Sequence, residues 1–394
     1  MEVPHLTIDW ESPDSMILIN PAYPDSEKVR YQKILEVTPD WPGHLWVSTS
    51  GTASTKWVGL SKPAVLSSAL AVNEHLGSTD QDRWVYLLPE FHVGGIGILA
   101  RSYLSGATVL YYKEEHPGKW HPQPFVDYIN AHRGTLTSLV PAQLFDIVHS
   151  RLRSPSSLRA VIIGGGRLDV ELYHHAVELG WKVLPSYGLS ECASQVATAE
   201  MGSWEKKGIY PRLKILPHLQ VKEVYEHLAF AGQSVLSLYA LLYPIKPKTD
   251  SSSCLGIEPE FKIYNPKIDG WFISEDRGSC QAGYLTVEGR TDSIIKIGGE
   301  NSDLNRLEAV LQEVRLKLGL REEMTLVPYP DERLGAVIHL VVVDLSSPQQ
   351  HVVQEHFNKA VLPFEKIRAT HTIGAIPKTP LSKVIKKELL ELIR

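Results

Sequence analysis

Hydrophobic and polar positions alternate along the middle of the chain with two different periods. Between residues 45 and 187, short apolar runs alternate with longer stretches in which apolar residues recur every three or four positions. The short runs predict strands at 84–88, 107–112, 135–140, 160–163 and 182–185. The longer stretches predict helices at 62–76, 96–104, 122–131, 142–151 and 170–179. This alternation indicates βαβ units around a parallel sheet, with ligand-binding loops at the carboxyl ends of its strands.

The pattern differs on both sides of this region. Residues 1–43 are rich in proline, acidic residues and tyrosine, and they predict an irregular lead-in with one short helix near 27–35. Residues 205–290 carry many short apolar stretches and few helical periods, which predicts a β-rich part in the form of a small barrel or sandwich. A last unit begins after residue 290. It contains a predicted strand at 335–343 and predicted helices at 304–318, 349–360 and 384–393.

Composition narrows the class of protein mainly by exclusion. The chain has 394 residues, of which 43% are hydrophobic and 22% charged, so we expect a soluble globular protein of two or three domains. A net charge of -5 without a long basic run disfavours nucleic acid as the main partner. No stretch reaches the ~20 apolar residues that a membrane helix needs. Three cysteines and the absence of a signal-peptide pattern favour a cytoplasmic location.

The densest candidate chemistry is a hydroxyl-rich segment after the first apolar run. The segment contains Ser48, Thr49, Ser50, Gly51, Thr52 and Lys56. Its N–H and O–H groups, together with the lysine, can surround phosphate oxygens. A solvated Ser/Thr turn explains the segment equally well. The Walker A ending Gly-Lys-Ser/Thr is absent, so a P-loop kinase does not fit.

A second segment, Tyr187-Gly188-Leu189-Ser190-Glu191, directly follows a predicted strand. Tyr187 can stack on a base, Ser190 can bond a phosphate oxygen and Glu191 can hold a magnesium ion. Glu191 can also be a simple carboxylate at a helix start. A hydrolase nucleophile at Ser190 is disfavoured, because Cys192 stands where the nucleophile elbow has its second glycine.

Three weaker signals lie elsewhere in the chain. The turn at Gly164–Gly166 follows another predicted strand and lets the backbone approach a flat ligand, although a tight turn needs the same residues. Asp276 can accept hydrogen bonds from ribose hydroxyls, and Arg290 can contact a phosphate. Lys383 follows a proline-containing loop and precedes a basic helix. Taken alone, each of these charged residues is more often a solvated surface residue.

Together and in this order, the segments resemble the adenylate-forming superfamily of acyl- and aryl-CoA ligases from about Leu45 to Lys387. The stretches at 88–95 (LPEFHVGG) and 187–195 (YGLSECASQ) are most similar to the o-succinylbenzoate–CoA ligases of menaquinone and phylloquinone synthesis. The resemblance implies two steps. A carboxylate attacks the α-phosphorus of ATP to give an acyl-adenylate and pyrophosphate, and the thiol of CoA then displaces AMP.

The resemblance also implies a role for each matching residue. The segment from Ser48 to Lys56 would hold the β- and γ-phosphates, Glu191 would bind Mg²⁺, and Ser190 would contact the α-phosphate. Tyr187, Gly188, Gly164, Gly165 and Gly166 would surround the adenine, with Asp276 on the ribose and Arg290 on the ribose–phosphate side. His92 would lie beside the acyl pocket, unless it only caps the following turn. Lys383 would bridge the carboxylate and the α-phosphate.

The family's architecture implies two domains for this chain. Residues 1–290 would form a large α/β adenylation domain with parallel sheets, helices on their faces and a β-rich part. Residues 291–394 would form a small, mobile α+β lid that rotates between the two steps about Asp292. The rotated lid would line the CoA tunnel with Lys296, Gly298 and Gly299.

The chain departs from the family pattern in four places. Ala53-Ser54-Thr55 replaces the usual threonine–glycine–spacer–proline stretch, in a loop that is one residue shorter. Trp57 stands where a small residue is common, and Ser382 takes the position of a glycine before the lysine. Only 48 residues precede Thr49, which predicts a shortened large domain. Three alternatives stay open: a ligase for another aryl or acyl acid, an adenylate-binding protein without ligase activity, and transfer to a carrier protein instead of CoA. A homodimer is a further expectation.

Overall fold

The structure is a computed structural model. It describes residues 6–21, 23, 25–49, 56–118, 120–206, 208–242, 261–290, 293–297, 300–331, 333–379 and 382–394. The helices are α1 (Asp25–Glu36), α2 (Lys62–Leu76), α3 (Val93–Ser105), α4 (Tyr112–Glu115), α5 (Pro122–His132), α6 (Pro141–His149), α7 (Val170–Glu178), α8 (Leu304–Lys317), α9 (Ser347–Ala360) and α10 (Lys386–Leu392).

The strands fall into two groups along the chain. The first group is β1 (Met16–Leu18), β2 (His44–Thr49), β3 (Lys56–Ser61), β4 (Arg83–Tyr86), β5 (Thr108–Tyr111), β6 (Leu136–Leu139), β7 (Ala160–Ile163), β8 (Val183–Leu189) and β9 (Ser194–Ala199). The second group is β10 (Leu213–Ile215), β11 (Leu219–Val224), β12 (His227–Gly232), β13 (Leu238–Leu242), β14 (Phe261–Tyr264), β15 (Phe272–Gln281), β16 (Tyr284–Arg290), β17 (Ile294–Ile297), β18 (Glu300–Asp303), β19 (Met324–Asp331), β20 (Gly335–Val343) and β21 (Ile367–Ile373).

The largest sheet contains eleven of the described strands, in the order β11-β12-β15-β16-β10-β9-β8-β7-β6-β4-β5. Strands β4 to β8 run parallel, as the alternating pattern predicts. From β8 onward the pairing becomes antiparallel, because the chain turns back on itself into β9. Five strands of residues 205–290 extend this same sheet. The predicted separate barrel or sandwich is therefore wrong, since these strands find hydrogen-bond partners on the open edge of the parallel sheet.

A second sheet has the order β1-β2-β3-β13-β14 among the described residues. Strands β2 and β3 form an antiparallel hairpin, with Thr49 opposite Lys56. Trp46 and Trp57 on this hairpin are fully buried and pack with Tyr31 of α1. Trp57 thus belongs to the core under this sheet. Helix α2 follows directly, with Ser61 as its N-cap accepting a hydrogen bond from the Ala64 N–H.

The carboxy-terminal part of the chain has its own buried cluster. Its sheet has the order β19-β20-β21, and a hairpin of β17 and β18 precedes α8. Apolar side chains of α8, α9 and the sheet, among them Leu307, Ile338 and Phe357, form the core. None of the helices in the described part of the chain combines the length and apolar character that a membrane crossing requires.

Candidate functional site

The turn between β8 and β9 holds the Tyr187–Glu191 segment in an unusual backbone path. Strand β8 ends at Leu189 and passes into a 3₁₀ turn at Ser190–Cys192. Ala193 and Ser194 then have φ angles of 52° and 100°, which side-chain-bearing residues rarely adopt. A Cβ on Gly188 would lie 1.9 Å from the Ser194 carbonyl oxygen. The segment therefore depends on glycine at 188, and the tight turn fixes the position of Glu191.

The carboxylate of Glu191 meets two side chains from the second sheet. Lys56 Nζ lies 3.3 Å from Glu191 Oε1, and the Tyr239 hydroxyl donates to the same oxygen at 2.7 Å. Glu191 is only 9% exposed, so these contacts act in a partly desolvated environment, where charge interactions are strong. The structure thereby joins the lysine of the hydroxyl-rich segment to the carboxylate of the second segment.

A second pair of charges lies on β15 and β16. Asp276 and Arg290 are register partners on these antiparallel strands, and their side chains form an ion pair at 3.6 Å. The Tyr187 hydroxyl donates to Asp276 Oδ2 at 2.5 Å. Burial and the charge of Asp276 raise the pKa of Tyr187, so its phenol stays a hydrogen-bond donor. Asp276 is thus held from two sides before any ligand is bound.

Lys383 reaches the same cleft from the carboxy-terminal part of the chain. Its loop is closed by hydrogen bonds from Thr379 N–H to the Lys383 carbonyl at 2.7 Å and from Ser382 N–H to the Thr379 carbonyl at 2.8 Å. Lys383 is exposed to solvent in this structure; partial desolvation and Arg290 lower its pKa, while Asp276 and Glu191 act in the opposite direction. Lys383 thus interacts electrostatically with residues that lie up to 192 positions earlier in the sequence.

The departure at Ser382 has a visible backbone cause. Ser382 has a φ of 59°, in the left-handed region where glycine is favoured. The loop keeps the glycine-like conformation with a serine. The altered residue therefore leaves the presentation of Lys383 intact.

His92 stands at the start of α3. It occupies the N-cap position, but its side chain makes no capping hydrogen bond, so the capping interpretation is wrong. Burial, with a contribution from Lys383, lowers the pKa of His92 to about 4. Its Nε2 has no hydrogen-bond partner within the described residues. At neutral pH the ring is an uncharged group close to Lys383.

Arg101 is a candidate site residue that the sequence analysis missed. It lies on α3, is 2% exposed, and its Nε has no hydrogen-bond partner in the described part of the chain. A Cβ on Gly97 would lie 3.0 Å from Arg101 Nη2 and 3.8 Å from the Ser194 Cβ, so the guanidinium lies beside the β8–β9 turn. Burial lowers the pKa of Arg101 to about 9. The available signal was an arginine within an otherwise apolar helix.

The structure describes some of the remaining predicted site residues, and the others lie outside the described residues. Gly164, Gly165 and Gly166 follow β7 at the same end of the parallel strands as Tyr187, and Gly165 has a φ of 77°. Ser48 is buried on β2, beside Trp57 of β3. Outside the described residues lie Ser50, Gly51, Thr52, Asp292, Gly298 and Gly299, together with the side chains of Thr49 and Lys296.

Comparison with known proteins gives matches over most of the chain. The profile of a family described as AMP-binding enzyme matches residues 27–225, about half of the chain. The 2-succinylbenzoate–CoA ligase of Bacillus subtilis is 28% identical over 337 residues, which cover 83% of this chain and 63% of that relative. The chain therefore spans less than two thirds of the length of that relative.

Solved structures match the fold. The o-succinylbenzoate CoA synthetase of Bacillus subtilis, solved with the acyl-adenylate OSB-AMP, has a TM-score of 0.68 at 25% identity, covering 88% of this chain and 68% of that chain. An anthranilate CoA ligase in complex with anthranoyl-AMP has a TM-score of 0.68 at 17% identity, covering 88% of this chain and 67% of that chain. The second likeness concerns the fold alone. These matches confirm the α/β fold that the sequence predicts.

Proposed function

Because this chain belongs to the AMP-binding enzyme family, as its motifs predict, we propose that it is an ATP-dependent acid–CoA ligase. It joins a carboxylic acid to ATP as an acyl-adenylate, with release of pyrophosphate, and then transfers the acyl group to the thiol of CoA, with release of AMP. The observation that carries this proposal is that Lys383 interacts electrostatically with Glu191, Asp276 and Arg290, which come from three other parts of the sequence. A nucleotide-binding protein without chemistry has no need for that lysine.

The nucleotide would lie across the carboxyl ends of β7 and β8. The glycine turn at 164–166 and Tyr187 with Gly188 would enclose the adenine, and Asp276 would accept from the ribose hydroxyls. Arg290, paired with Asp276, would contact the ribose–phosphate side. The segment from Ser48 to Lys56 would hold the β- and γ-phosphates, and Ser190 the α-phosphate.

Lys383 would lower the barrier of the first step by charge. The attack of a carboxylate on a phosphate brings two anions together, and an ammonium group between them offsets their repulsion. Lys383 is exposed in this structure, so bound ATP and acid would have to cover it and exclude water, which would strengthen that interaction. His92 is uncharged at neutral pH, so it would line the acyl pocket without adding a cation that competes with Lys383 for the carboxylate.

Glu191 has the chemistry that Mg²⁺ prefers. Both of its recorded contacts go to Oε1, and no contact of Oε2 is recorded among the described residues, so that oxygen can serve as a ligand. No group of three ligating side chains occurs within the described ranges, which fits an ion held by one carboxylate together with phosphate oxygens and water. When bound, Mg²⁺ would neutralise the charge that develops on the phosphates.

We propose o-succinylbenzoate as the acid, activated for menaquinone or phylloquinone synthesis. This acid has a second carboxylate, which needs a cation deep in the acyl pocket. Arg101 would be this cation: it is buried, it forms no ion pair in the described part of the chain, and it lies beside the β8–β9 turn. The named functions of the relatives support the same acid.

The second step would use the same cleft after a rotation of the lid, residues 291–394, against the large domain, residues 1–290. Asp292 would be the pivot, and Lys296, Gly298 and Gly299 would line the path of CoA.

We place the enzyme in the cytoplasm, where ATP and CoA are available. We also propose a homodimer, since Leu70, Tyr103 and Leu104 are exposed on the packed helices α2 and α3. Sedimentation analysis tests the dimer.

Mass spectrometry of the reaction products tests the proposed function. Incubation with ATP, Mg²⁺, CoA and o-succinylbenzoate is expected to give o-succinylbenzoyl-CoA, AMP and pyrophosphate. Parallel assays replace o-succinylbenzoate with a panel of other aryl and acyl acids. A further assay replaces CoA with a holo carrier protein. Product from another acid only would overturn the choice of acid. Tight AMP binding without turnover of any acid would overturn the ligase proposal itself.

A further inference from the structure

Tyr239 is a buried residue of β13 that touches two charged side chains of the cleft. Its hydroxyl donates to Glu191 Oε1 at 2.7 Å and accepts from Lys56 Nζ at 3.3 Å. Lys56 Nζ also lies 4.3 Å from the centre of the Tyr239 ring. One side chain of the second sheet therefore holds both a carboxylate on the first sheet and an ammonium group on the neighbouring strand β3.

The hydroxyl can keep both contacts at once. Tyr239 is 4% exposed, and a phenol, whose ordinary pKa is about 10, is protonated at neutral pH. A protonated phenol donates one hydrogen bond to the carboxylate and keeps lone pairs for the lysine. The ring adds a cation–π contact that holds the ammonium group against its face.

These contacts decide which groups of the cleft stay available to a ligand. Among the described residues, the phenol and the lysine both contact Oε1 of Glu191 and neither contacts Oε2, which leaves that second oxygen for a ligand. Without the hydroxyl, the nearest replacement partner for Oε1 is Lys56 alone, and the lysine would be drawn toward the carboxylate. That movement would take the ammonium group from the phosphates and put a cation where the metal binds.

We propose that Tyr239 is a positioning residue that orients Glu191 for Mg²⁺ and holds Lys56 for the phosphates of ATP. This inference rests on the roles that the proposed function gives to Glu191 and Lys56. Tyr239 itself contacts neither the metal nor the nucleotide. Its effect is therefore on the metal dependence of nucleotide binding.

The test measures how ATP binding by Tyr239→Phe depends on the concentration of Mn²⁺. Electron paramagnetic resonance of free Mn²⁺ monitors the titration, and no carboxylic acid substrate is present. Loss of a hydrogen bond to a charged group is expected to raise the half-saturating Mn²⁺ concentration about tenfold. The half-saturating Mg²⁺ concentration for ATP–pyrophosphate exchange is expected to rise in parallel. Tyr173→Phe is the matched control, because Tyr173 is 1% exposed, lies in another core cluster and has a hydroxyl without a partner among the described residues.

Two outcomes would overturn the inference: an unchanged Mn²⁺ midpoint in Tyr239→Phe, or an equal shift in Tyr173→Phe. A site-specific 4-aminophenylalanine at position 239 keeps the ring and a donor, and it is expected to restore the midpoint. Failure of this residue to restore a midpoint that Tyr239→Phe has shifted would also count against the inference. The Mn²⁺ arm needs no turnover, so it is informative even if the wild-type protein activates no acid and the proposed function fails.

Discussion

At the scale of single residues, Lys383 carries the charge on which the proposed first step depends. Its ammonium group interacts with side chains of both strands β15 and β16 and of the β8–β9 turn, through Asp276, Arg290 and Glu191. Its own loop is fixed by backbone hydrogen bonds around Thr379. The side chain is exposed, but its neighbouring charges distinguish it from a lysine on a helix surface such as Lys387.

Lys383→Ala is expected to reduce ATP–pyrophosphate exchange by about 10²–10³-fold, the effect of removing one preorganised electrostatic contact. Thioester formation from preformed acyl-adenylate is expected to change much less, because the lysine would leave the cleft when the lid rotates. Lys387→Ala, at an exposed lysine of α10, serves as the control. Intact exchange in Lys383→Ala would show that the assignment is wrong.

The neutral state of His92 predicts a loss of stability in acid. Its pKa is lowered from 6.5 to about 4, so between these values the unfolded state binds more protons than the folded state. The contribution of His92 is complete above pH 6.5 and declines as the pH falls toward 4, by at most about 3 kcal/mol. His92→Gln is expected to flatten the fall of the unfolding free energy over this range, measured by urea titration. An equal change in His351→Gln, at an exposed histidine, would contradict this origin.

At the scale of secondary-structure elements, the turn between β8 and β9 determines where the site residues lie. Gly188 packs against the backbone of Ser194 and Gln195, which leaves no space for a side chain. The backbone contact fixes the start of the turn, and the positive φ angles of Ala193 and Ser194 fix its end. The position of Glu191 is thus set by backbone geometry on both sides.

Gly188→Ala is expected to destabilise the protein by about 3 kcal/mol or more, because the new Cβ would lie 1.9 Å from a carbonyl oxygen. Chemical denaturation measures the change. Gly374→Ala is the matched control, since its Cβ would meet nothing within 4 Å. Similar unfolding curves for the two variants would refute the argument.

The elements of the parallel sheet could be predicted from the sequence, because burial on both faces gives them a clear apolar period. Helix α2 spans Lys62–Leu76 and strand β7 spans Ala160–Ile163, as predicted. The joining of β13 to β3 and of β10 to β16 could not be predicted. Antiparallel pairing between distant segments leaves no local period, so the sequence of residues 205–290 indicates strands without indicating their partners.

The candidate site shows the same division. Glu191, Asp276 and Lys383 stand in recognisable motifs, and the structure brings them together, while their roles stay predictions. Tyr239 and Arg101 carry no motif, because their importance comes from contacts across the fold. Tyr239 contacts Glu191, which lies 48 positions earlier in the sequence. Arg101 lies close to the β8–β9 turn because Gly97 has no side chain between them.

At the scale of the whole molecule, the carboxy-terminal part docks against the α6 face of the large sheet. The guanidinium carbon of Arg315, on α8, lies 4.2 Å from the centre of the Phe145 ring, and Leu316 packs against the same apolar cluster. Arg315 also interacts with Asp146. This interface stabilises the arrangement in which Lys383 reaches the cleft.

Arg315→Ala is expected to slow ATP–pyrophosphate exchange about three- to tenfold, the loss of one partly desolvated cation–π contact. The rate of thioester formation from preformed adenylate is expected to stay unchanged or to increase, since that step would use the rotated lid. Arg333→Ala, at an exposed arginine in the turn between β19 and β20, is the control. A uniform loss in both half-reactions would mean that Arg315 supports the fold rather than the docked state.

The paired strands β15 and β16 have a consequence for the choice of sugar. Asp276 is 7% exposed and already held by Tyr187 and Arg290, so its carboxylate needs little rearrangement to receive a nucleotide. A deoxyribose offers it fewer hydroxyl donors, and a buried carboxylate that loses a donor binds its ligand less well. In its proposed role, this aspartate would make the protein select ribonucleotides over deoxyribonucleotides.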